Sequence, residues 1–118
     1  MGNVNGPVVS MLQTMSKYLS MGMPLQEVIR RSTVTPAQAI RHTELGTLSI
    51  GAEADVAVLK LLEGQFHYTD CGRARLDGNR KLECVMTLRA GRIVYDPTGL
   101  TMPPWEQAPA SYWKMPGL

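Results

Sequence analysis

The spacing of apolar residues near the start of the chain is helical. Between residues 8 and 21 they recur every three or four positions, which predicts one amphipathic helix with a wide apolar stripe. The stripe consists of Val8, Val9, Met11, Leu12, Met15, Tyr18 and Leu19. Gly22 follows directly and is typical of a helix C-terminus.

Two shorter helices are predicted next. Pro24 begins one of them, with an apolar side formed by Leu25, Val28 and Ile29. Thr35 and Pro36 form an N-cap followed by proline at the first helical position, which predicts a third helix reaching about residue 41.

After residue 46 the pattern changes to that of strands. Gly46 and Gly51 indicate turns, and the apolar, β-branched run that follows predicts a buried strand over 54–62. A second strand is predicted over 65–69, and residues 70–79, which include Asp77-Gly78-Asn79, are interpreted mostly as turn.

The clearest hairpin signal lies between residues 81 and 95. Residues 81–89 alternate, and the pattern places Leu82, Cys84, Met86 and Leu88 on one face of a strand. Ala90-Gly91 is a two-residue connection to a strand over 92–95. Residues 97–118 are rich in proline and show no periodicity, so we expect an extended tail whose tryptophans, Trp105 and Trp113, pack on the body or on another chain.

Composition excludes several classes of protein. The chain has 118 residues, a size typical of one domain, and a formal net charge of only +2, which gives no support to nucleic-acid binding. No apolar run is long enough to span a membrane, and the first residues lack the pattern of a signal peptide. Cys71 and Cys84 are therefore expected to be free thiols in a reducing cytoplasm.

Three segments together resemble one family. They are T-x-T-P-A-x-A-I before E-L-G-T-L, the stretch G-x-L-x-x-G-x-x-A-D-x-A-V-L over 46–59, and T-L-R-A-G-R-I-V-Y-D over 87–96. These resemble the C-terminal end of metal-dependent hydrolases of the amidohydrolase superfamily. N-G-P-V, M-S-K-Y-L and G-M-P-L-Q-E-V-I-R-R-S-T are similar to its amidohydrolase/deacetylase, dihydroorotase-like subgroup.

The resemblance implies an α+β architecture. Residues 1–45 would be helices from the end of a (β/α)8 barrel, residues 46–96 a small antiparallel sheet belonging to a composite β-sandwich, and residues 97–118 a tail. A whole barrel takes about 250 residues, so this chain would be its last quarter to third. The methionine stripe of Met11, Met15, Met21 and Met23 is interpreted as core facing the barrel.

The resemblance also implies a chemistry that this chain does not carry alone. In intact members a divalent metal such as zinc activates water for attack on an amide or cyclic imide carbon. The metal ligands of such enzymes lie upstream of the matching region, so no catalytic or metal-binding residue is predicted here. Asn5 and Gly6 would follow the last barrel strand and border the substrate in an intact barrel.

The residues themselves suggest no independent site. His42 and His67 are 25 positions apart and lack metal-ligand spacing, and a Cys–His nucleophile would need Cys71 or Cys84 poised beside a histidine in a cleft. The aspartates are all interpreted as turn-capping residues: Asp55, Asp70, Asp77 and Asp96.

Two functional hypotheses remain open. The chain is either part of a hydrolase that works with an upstream amidohydrolase segment, or a free-standing binding or assembly protein derived from a truncated gene. Because strands from the N-terminal part of such enzymes would be absent, we expect an uncovered sheet edge and apolar face, and hence a homo-oligomer or docking onto the upstream segment.

Overall fold

A computed structural model describes residues 10–113, with side chains described as far as residue 111. Three helices precede three strands, which confirms the predicted α+β order of helices followed by a small antiparallel sheet. The elements are α1 (Met11–Ser20), α2 (Leu25–Ser32), α3 (Val34–Ala39), β1 (Val56–Thr69), β2 (Arg75–Arg89) and β3 (Arg92–Tyr95).

Helix α1 begins where a serine can cap it. The side chain of Ser10 accepts a hydrogen bond from the backbone N–H of Gln13 at 3.1 Å, which satisfies one of the unpaired donors of the first turn. Val8 and Val9, which were predicted to belong to this helix, lie outside the described residues. Gly22 follows the helix with a positive φ of 102°, as expected of a glycine that ends a helix.

The start of α3 differs from the prediction. Thr33 stands at its N-cap position instead of Thr35, and Pro36 is the third residue of the helix. Proline is tolerated there because the first N–H groups of a helix have no intrahelical acceptor in any case. The helix ends at Ala39, two residues before the predicted end.

Strand β1 is continuous, so the prediction of two strands over 54–62 and 65–69 was wrong. Its register against β2 shifts between Glu63 and Phe66, where β1 contains one residue more than the opposite strand. This bulge beside Gly64 lets the hairpin continue beyond the position where the sequence pattern is interrupted.

The predicted ten-residue turn is also shorter than expected. Only residues 70–74 connect the strands, and Asp77-Gly78-Asn79 lie within β2, opposite residues 66 and 67 of β1. The turn signal of these three residues is overridden because they pair across the hairpin. Gly78 also packs directly under α1, where an added Cβ would lie 2.3 Å from the Ser20 hydroxyl.

A second bulge changes which residues share a face of β2. Val58 pairs with Met86, but the next residue of β1, Leu59, pairs with Cys84, so Val85 is the extra residue. Alternation is therefore interrupted at Val85. Met86 and Leu88 lie on the opposite face from Leu82 and Cys84, which corrects the predicted set of four.

The connection between β2 and β3 confirms the predicted hairpin. Ala90 and Gly91 both have positive φ, 50° and 77°, as a two-residue type I′ turn requires. The side chain of Asp55 accepts a hydrogen bond from the Ala90 N–H at 2.9 Å, and the Gly91 N–H donates to the carbonyl of Ala54. The turn is thereby fixed to the start of β1.

A small core lies between the helices and the sheet. It contains Met15, Leu19, Val28 and Leu82, with partly buried apolar residues around it, including Leu12, Met23, Leu25, Ile29 and Leu59. Helix α1 packs on β2 through Ser16 and Ser20 as well, whose hydroxyls bond the backbone of Leu82 and Arg80.

The methionine stripe and the tail depart from expectation. Met15 is buried, whereas Met11 and Met21 are exposed, so the stripe is not a continuous core. Residues 105–107 and 110–113 form two short 3-10 helices, where an extended tail had been predicted. Trp105 is exposed and does not pack on the body, so packing on another chain stays a prediction for it, and the side chain of Trp113 is outside the described part.

Candidate functional site

The long β1–β2 hairpin brings together one group of side chains that the sequence pattern had separated. His67 and Asp77 are cross-strand partners, and the His67 Nδ1 lies 2.8 Å from the Asp77 Oδ1. The Arg75 Nε lies 2.8 Å from the same carboxylate oxygen. Asp77 therefore contacts both the His67 ring and the Arg75 guanidinium and does not cap a turn, which corrects its predicted role.

These contacts set the ionisation of the carboxylate. The hydrogen bond with His67 is the largest cause that lowers the pKa of Asp77. Desolvation acts in the opposite direction, and the charge and hydrogen bond of Arg75 lower the pKa further. Asp77 is thus held ionised where it orients the imidazole ring.

An imidazole oriented by aspartate is a component of general-base catalysis, but its surroundings here do not support that role. The His67 side chain is 59% exposed and that of Asp77 is 63% exposed, so water is not excluded from the pair. The arrangement is that of a surface ion pair stabilising the hairpin.

The second histidine has a similarly local partner. His42 Nδ1 lies 2.8 Å from Glu44 Oε1 in the connection between α3 and β1. A backbone hydrogen bond at Glu44 and the contact with His42 lower the pKa of Glu44. Each histidine therefore contacts its own carboxylate, and the two pairs lie in different parts of the fold.

The described residues do not fit the metal centre that the family resemblance implies. Over residues 10–113, no group of three or more His, Cys, Asp or Glu side chains is arranged to hold a metal ion. A catalytic zinc site takes three protein ligands and an open position. No step of a metal-assisted reaction can be assigned to these residues.

The cysteines likewise form no nucleophilic pair. Both are free thiols, Cys71 exposed and Cys84 half-buried. The Cys84 Sγ lies 3.3 Å from the Thr87 hydroxyl and 3.5 Å from the Met86 carbonyl oxygen. These partners are neutral and supply no base to activate the thiol.

Three of the four aspartates cap turns as predicted. Asp55 binds the β2–β3 turn, and the side chain of Asp70 accepts from the Ala74 N–H at 2.9 Å in the β1–β2 turn. Asp96 accepts from the Thr101 hydroxyl at 2.7 Å and from the N–H groups of Leu100 and Thr101. These bonds, above all the one from the Thr101 hydroxyl, lower the pKa of Asp96.

A cleft of about 890 Å³ lies between α1 and the hairpin. It is open to solvent, and its lining mixes apolar and polar side chains, including Gln13, Phe66, Lys81, Glu83 and Tyr95. Asn5 and Gly6, the predicted substrate-rim residues, lie outside the described residues.

Among the helices within residues 10–113, none has the length and apolar character needed to cross a bilayer.

The cluster of His67, Asp77 and Arg75 was missed from the sequence. The sequence nevertheless contained a signal for this pairing. Residues 65–69 and 75–79 lie at equal distances from the five-residue turn, and a hairpin formed around that turn pairs His67 with Asp77. Treating Asp77-Gly78 as a turn dipeptide hid that symmetry.

The chain is similar in sequence to known proteins of one family. The profile of the Amidohydrolase family matches residues 9–95. A deacetylase from Enterococcus faecalis is 30% identical over 92 residues, which cover 78% of this chain and 25% of that protein. A deacetylase from Brucella anthropi is 37% identical over 68 residues, covering 58% of this chain and 17% of that protein.

The chain is also similar to parts of two solved structures. An adenine deaminase is similar with a TM-score of 0.72 and 29% identity, over 80% of this chain and 26% of the deaminase chain. A dihydroorotase is similar with a TM-score of 0.68 and 29% identity, over 78% of this chain and 25% of that one.

The chain thus spans a quarter or less of the length of these curated relatives. The match nevertheless covers all three helices and all three strands, from the start of α1 to the end of β3. Sequence similarity and the arrangement of elements agree, and the chain belongs to the amidohydrolase family.

Proposed function

We propose that this chain is the C-terminal part of a metal-dependent amidohydrolase, which in its intact form hydrolyses amide or cyclic imide C–N bonds. One observation carries the proposal: the family match covers nearly all described elements but only about a quarter of the Enterococcus relative. In this proposal the metal, for which zinc is the expected ion, and the groups that activate water belong to the remaining three quarters of such a chain.

The part played by this chain is then structural. Helices α1–α3 close the end of the barrel, and the sheet completes a sandwich with strands from elsewhere in the enzyme. The exposed apolar side chains support this role, because contacts with the rest of an enzyme would remove them from water. They include Leu48 and Ile50 before β1, Ile93 and Val94 in β3, and Met11 and Tyr18 in α1.

Two similar proteins are named deacetylases, and this name guides the choice of substrates for testing the proposal. Removal of an acetyl group from nitrogen is hydrolysis of an amide C–N bond, the reaction class proposed here. N-acetylated amines are therefore the first substrates to test, followed by cyclic imides.

The alternative is a free-standing binding or assembly protein. One observation favours it: α1, α2 and the sheet enclose a core of their own, in which Met15, Leu19, Val28 and Leu82 are buried. A chain with such a core can keep its shape without an enzyme around it.

Two preparations distinguish these proposals. The first is this chain alone. The second is a chimera in which it replaces the matching C-terminal region of the Enterococcus faecalis deacetylase. For each, metal content after dialysis, mass in solution and hydrolysis of N-acetylated amines are measured. We expect stoichiometric metal and hydrolysis from the chimera only.

Three results would count against the hydrolase proposal. Stoichiometric metal on the chain alone would mean that it has a metal site of its own. A chimera that does not fold would show that this chain cannot complete the enzyme. A stable, metal-free monomer that binds other molecules would favour the alternative.

A further inference from the structure

Residues 97–108 form an arm whose backbone has a defined shape. The side chain of Asp96 fixes its start, because it accepts hydrogen bonds from the N–H groups of Leu100 and Thr101 at 2.8 and 3.1 Å and from the Thr101 hydroxyl at 2.7 Å. Further along, the N–H of Gln107 donates to the carbonyl of Pro104 at 2.9 Å. The arm is therefore held by its own hydrogen bonds.

The arm presents three large apolar side chains to solvent. Leu100 is 62% exposed, Met102 is 63% exposed and Trp105 is 64% exposed. Tryptophan is enriched among the residues that contribute most to protein interfaces. Pro103 and Pro104 restrict the backbone between these side chains, which lowers the entropy lost when the arm binds.

The arm also lies outside the region that matches the family profile, which ends at residue 95. The structural role proposed for the helices and the sheet therefore does not account for it. An explanation of the arm has to come from this chain's own surfaces.

One such surface adjoins the start of the arm. The cleft between α1 and the hairpin is lined by Pro97 and Thr98, but none of the described residues after Thr98 lines it. The arm thus leads away from the cleft of its own chain and leaves that cleft open.

The chemistry of the cleft suits a tryptophan side chain. Leu12, Phe66 and Val85 supply apolar lining, and the Lys81 ammonium lies 3.7 Å from the Glu83 carboxylate beside them. An indole ring is apolar apart from one N–H donor. The cleft therefore offers both apolar contacts and a carboxylate that can accept from the indole.

We infer that the arm of one copy of this chain binds in the cleft of a second copy, with Trp105 as the central contact, and that the exchange is reciprocal. A second copy can receive the arm without breaking the hydrogen bonds of Asp96. Because the arm and the cleft adjoin at residues 97 and 98, they form one continuous patch, as a two-fold symmetric contact requires. The inference does not depend on the proposed hydrolase function.

The area that such an exchange would bury is sufficient for a dimer. An aromatic side chain buries about 150–250 Å² when fully covered, so Trp105, Leu100 and Met102 at their present exposure would together lose about 300 Å². With an equal area lost from the cleft wall, two reciprocal contacts would bury about 1,200 Å², the lower end of the range for stable interfaces. A single contact would bury about half of this area, which is why a reciprocal exchange is inferred.

The first test measures dimerisation of the full chain by analytical ultracentrifugation over a series of concentrations. We expect Trp105→Ala to raise the dimer dissociation constant at least about tenfold, because it removes the central contact. Met102→Lys is a second variant of the same contact. Leu48→Ala is the control, since Leu48 is more exposed than Trp105 but lies outside both the arm and the cleft. Circular dichroism checks that each variant is folded.

The second test identifies the chain that receives the arm. Cys84 lines the cleft, so Met102→Cys in a Cys71→Ser background should be joined to it by a short bismaleimide. We expect a covalent dimer on a denaturing gel, and the further change Cys84→Ser should abolish it.

Three results would overturn the inference. The first is a chain that stays monomeric at every concentration. The second is a dimer that Trp105→Ala and Met102→Lys weaken no more than Leu48→Ala does. The third is a bismaleimide link within a single chain, which would show that the arm folds back into its own cleft.

Discussion

Replacement of Ser16 by alanine tests how helix α1 is joined to the sheet. Ser16 is 1% exposed and is the one buried polar side chain in the part of the chain whose side chains are described. Its hydroxyl donates to the Leu12 carbonyl at 2.6 Å and accepts from the Leu82 N–H at 2.9 Å. Strand β3 pairs with β2 only from Thr87 to Arg89, so it does not reach Leu82, and α1 supplies the acceptor.

The expected loss of unfolding free energy follows from the Leu82 N–H, which is left without an acceptor. Ser16→Ala leaves the N–H of Leu82 buried without an acceptor, which costs about 1–3 kcal/mol. Alanine recovers up to about 0.5 kcal/mol through its higher helix propensity. The net loss of unfolding free energy should therefore be about 0.5–2.5 kcal/mol.

Ser20→Ala is the matched control one helical turn later. The Ser20 hydroxyl donates to the Arg80 carbonyl at 3.0 Å, but the Tyr68 hydroxyl donates to the same oxygen at 2.7 Å. That carbonyl keeps a partner after the substitution, so the net loss should be below about 0.5 kcal/mol.

Urea unfolding followed by circular dichroism measures both variants. We expect the midpoint of Ser16→Ala to fall by about 0.3–1.3 M with an unchanged slope, for a slope of about 2 kcal/mol/M, which is within the range of small proteins. Equal midpoints for Ser16→Ala and Ser20→Ala would refute the conclusion that the Leu82 N–H depends on Ser16.

Further predictions concern two glycines and two carboxylates. Gly78→Ala should destabilise the chain by about 1–3 kcal/mol, because its Cβ would lie 2.6 Å from the Ser20 Cβ and 2.9 Å from the Tyr68 ring. Gly22→Ala, at positive φ but with no such contact within 4 Å, should cost about 1–2 kcal/mol from backbone conformation alone. Addition of Ser20→Gly, which removes the contacting hydroxyl and Cβ, should therefore relieve the steric contact of the Gly78 variant only. His67→Ala should raise the pKa of Asp77 toward its ordinary value of 3.8 in a carboxyl NMR titration. Because the folded-state pKa is lowered, the contribution of Asp77 to stability is present above pH 3.8 and is lost as the pH falls through the lowered pKa, so Asp77→Asn should reduce acid sensitivity. Thr101→Val should likewise raise the pKa of Asp96, and an unchanged pKa would contradict the assigned hydrogen bond.

Local chemistry made part of this protein predictable. The helical spacing of Leu12, Met15 and Leu19 identified α1, because a helix returns a side chain to the same face every three or four residues. Ala90-Gly91 identified the final hairpin, because few residue pairs adopt positive φ at adjacent positions. The family resemblance also followed from short sequence segments, and the matches to deacetylases and to the Amidohydrolase family confirm it.

The register of the sheet could not be predicted in the same way. The bulge at Val85 moved Met86 and Leu88 to the other face, and the bulge beside Gly64 joined two predicted strands into one. A bulge depends on the pairing of residues far apart in the sequence, and single-strand periodicity contains no information about the partner. The same pairing brought His67 to Asp77, a contact that periodicity within a single strand does not reveal.

Residues close together along the chain were enough to predict helices before strands, the β2–β3 turn and the family. Burial could not be predicted in this way, because it depends on contacts between elements. Met11 and Met15 belong to one predicted stripe, yet Met15 packs in the core while Met11 is exposed at the start of α1. The physical reason is that burial requires a neighbouring surface, and α2 and β2 cover only part of the apolar face of α1.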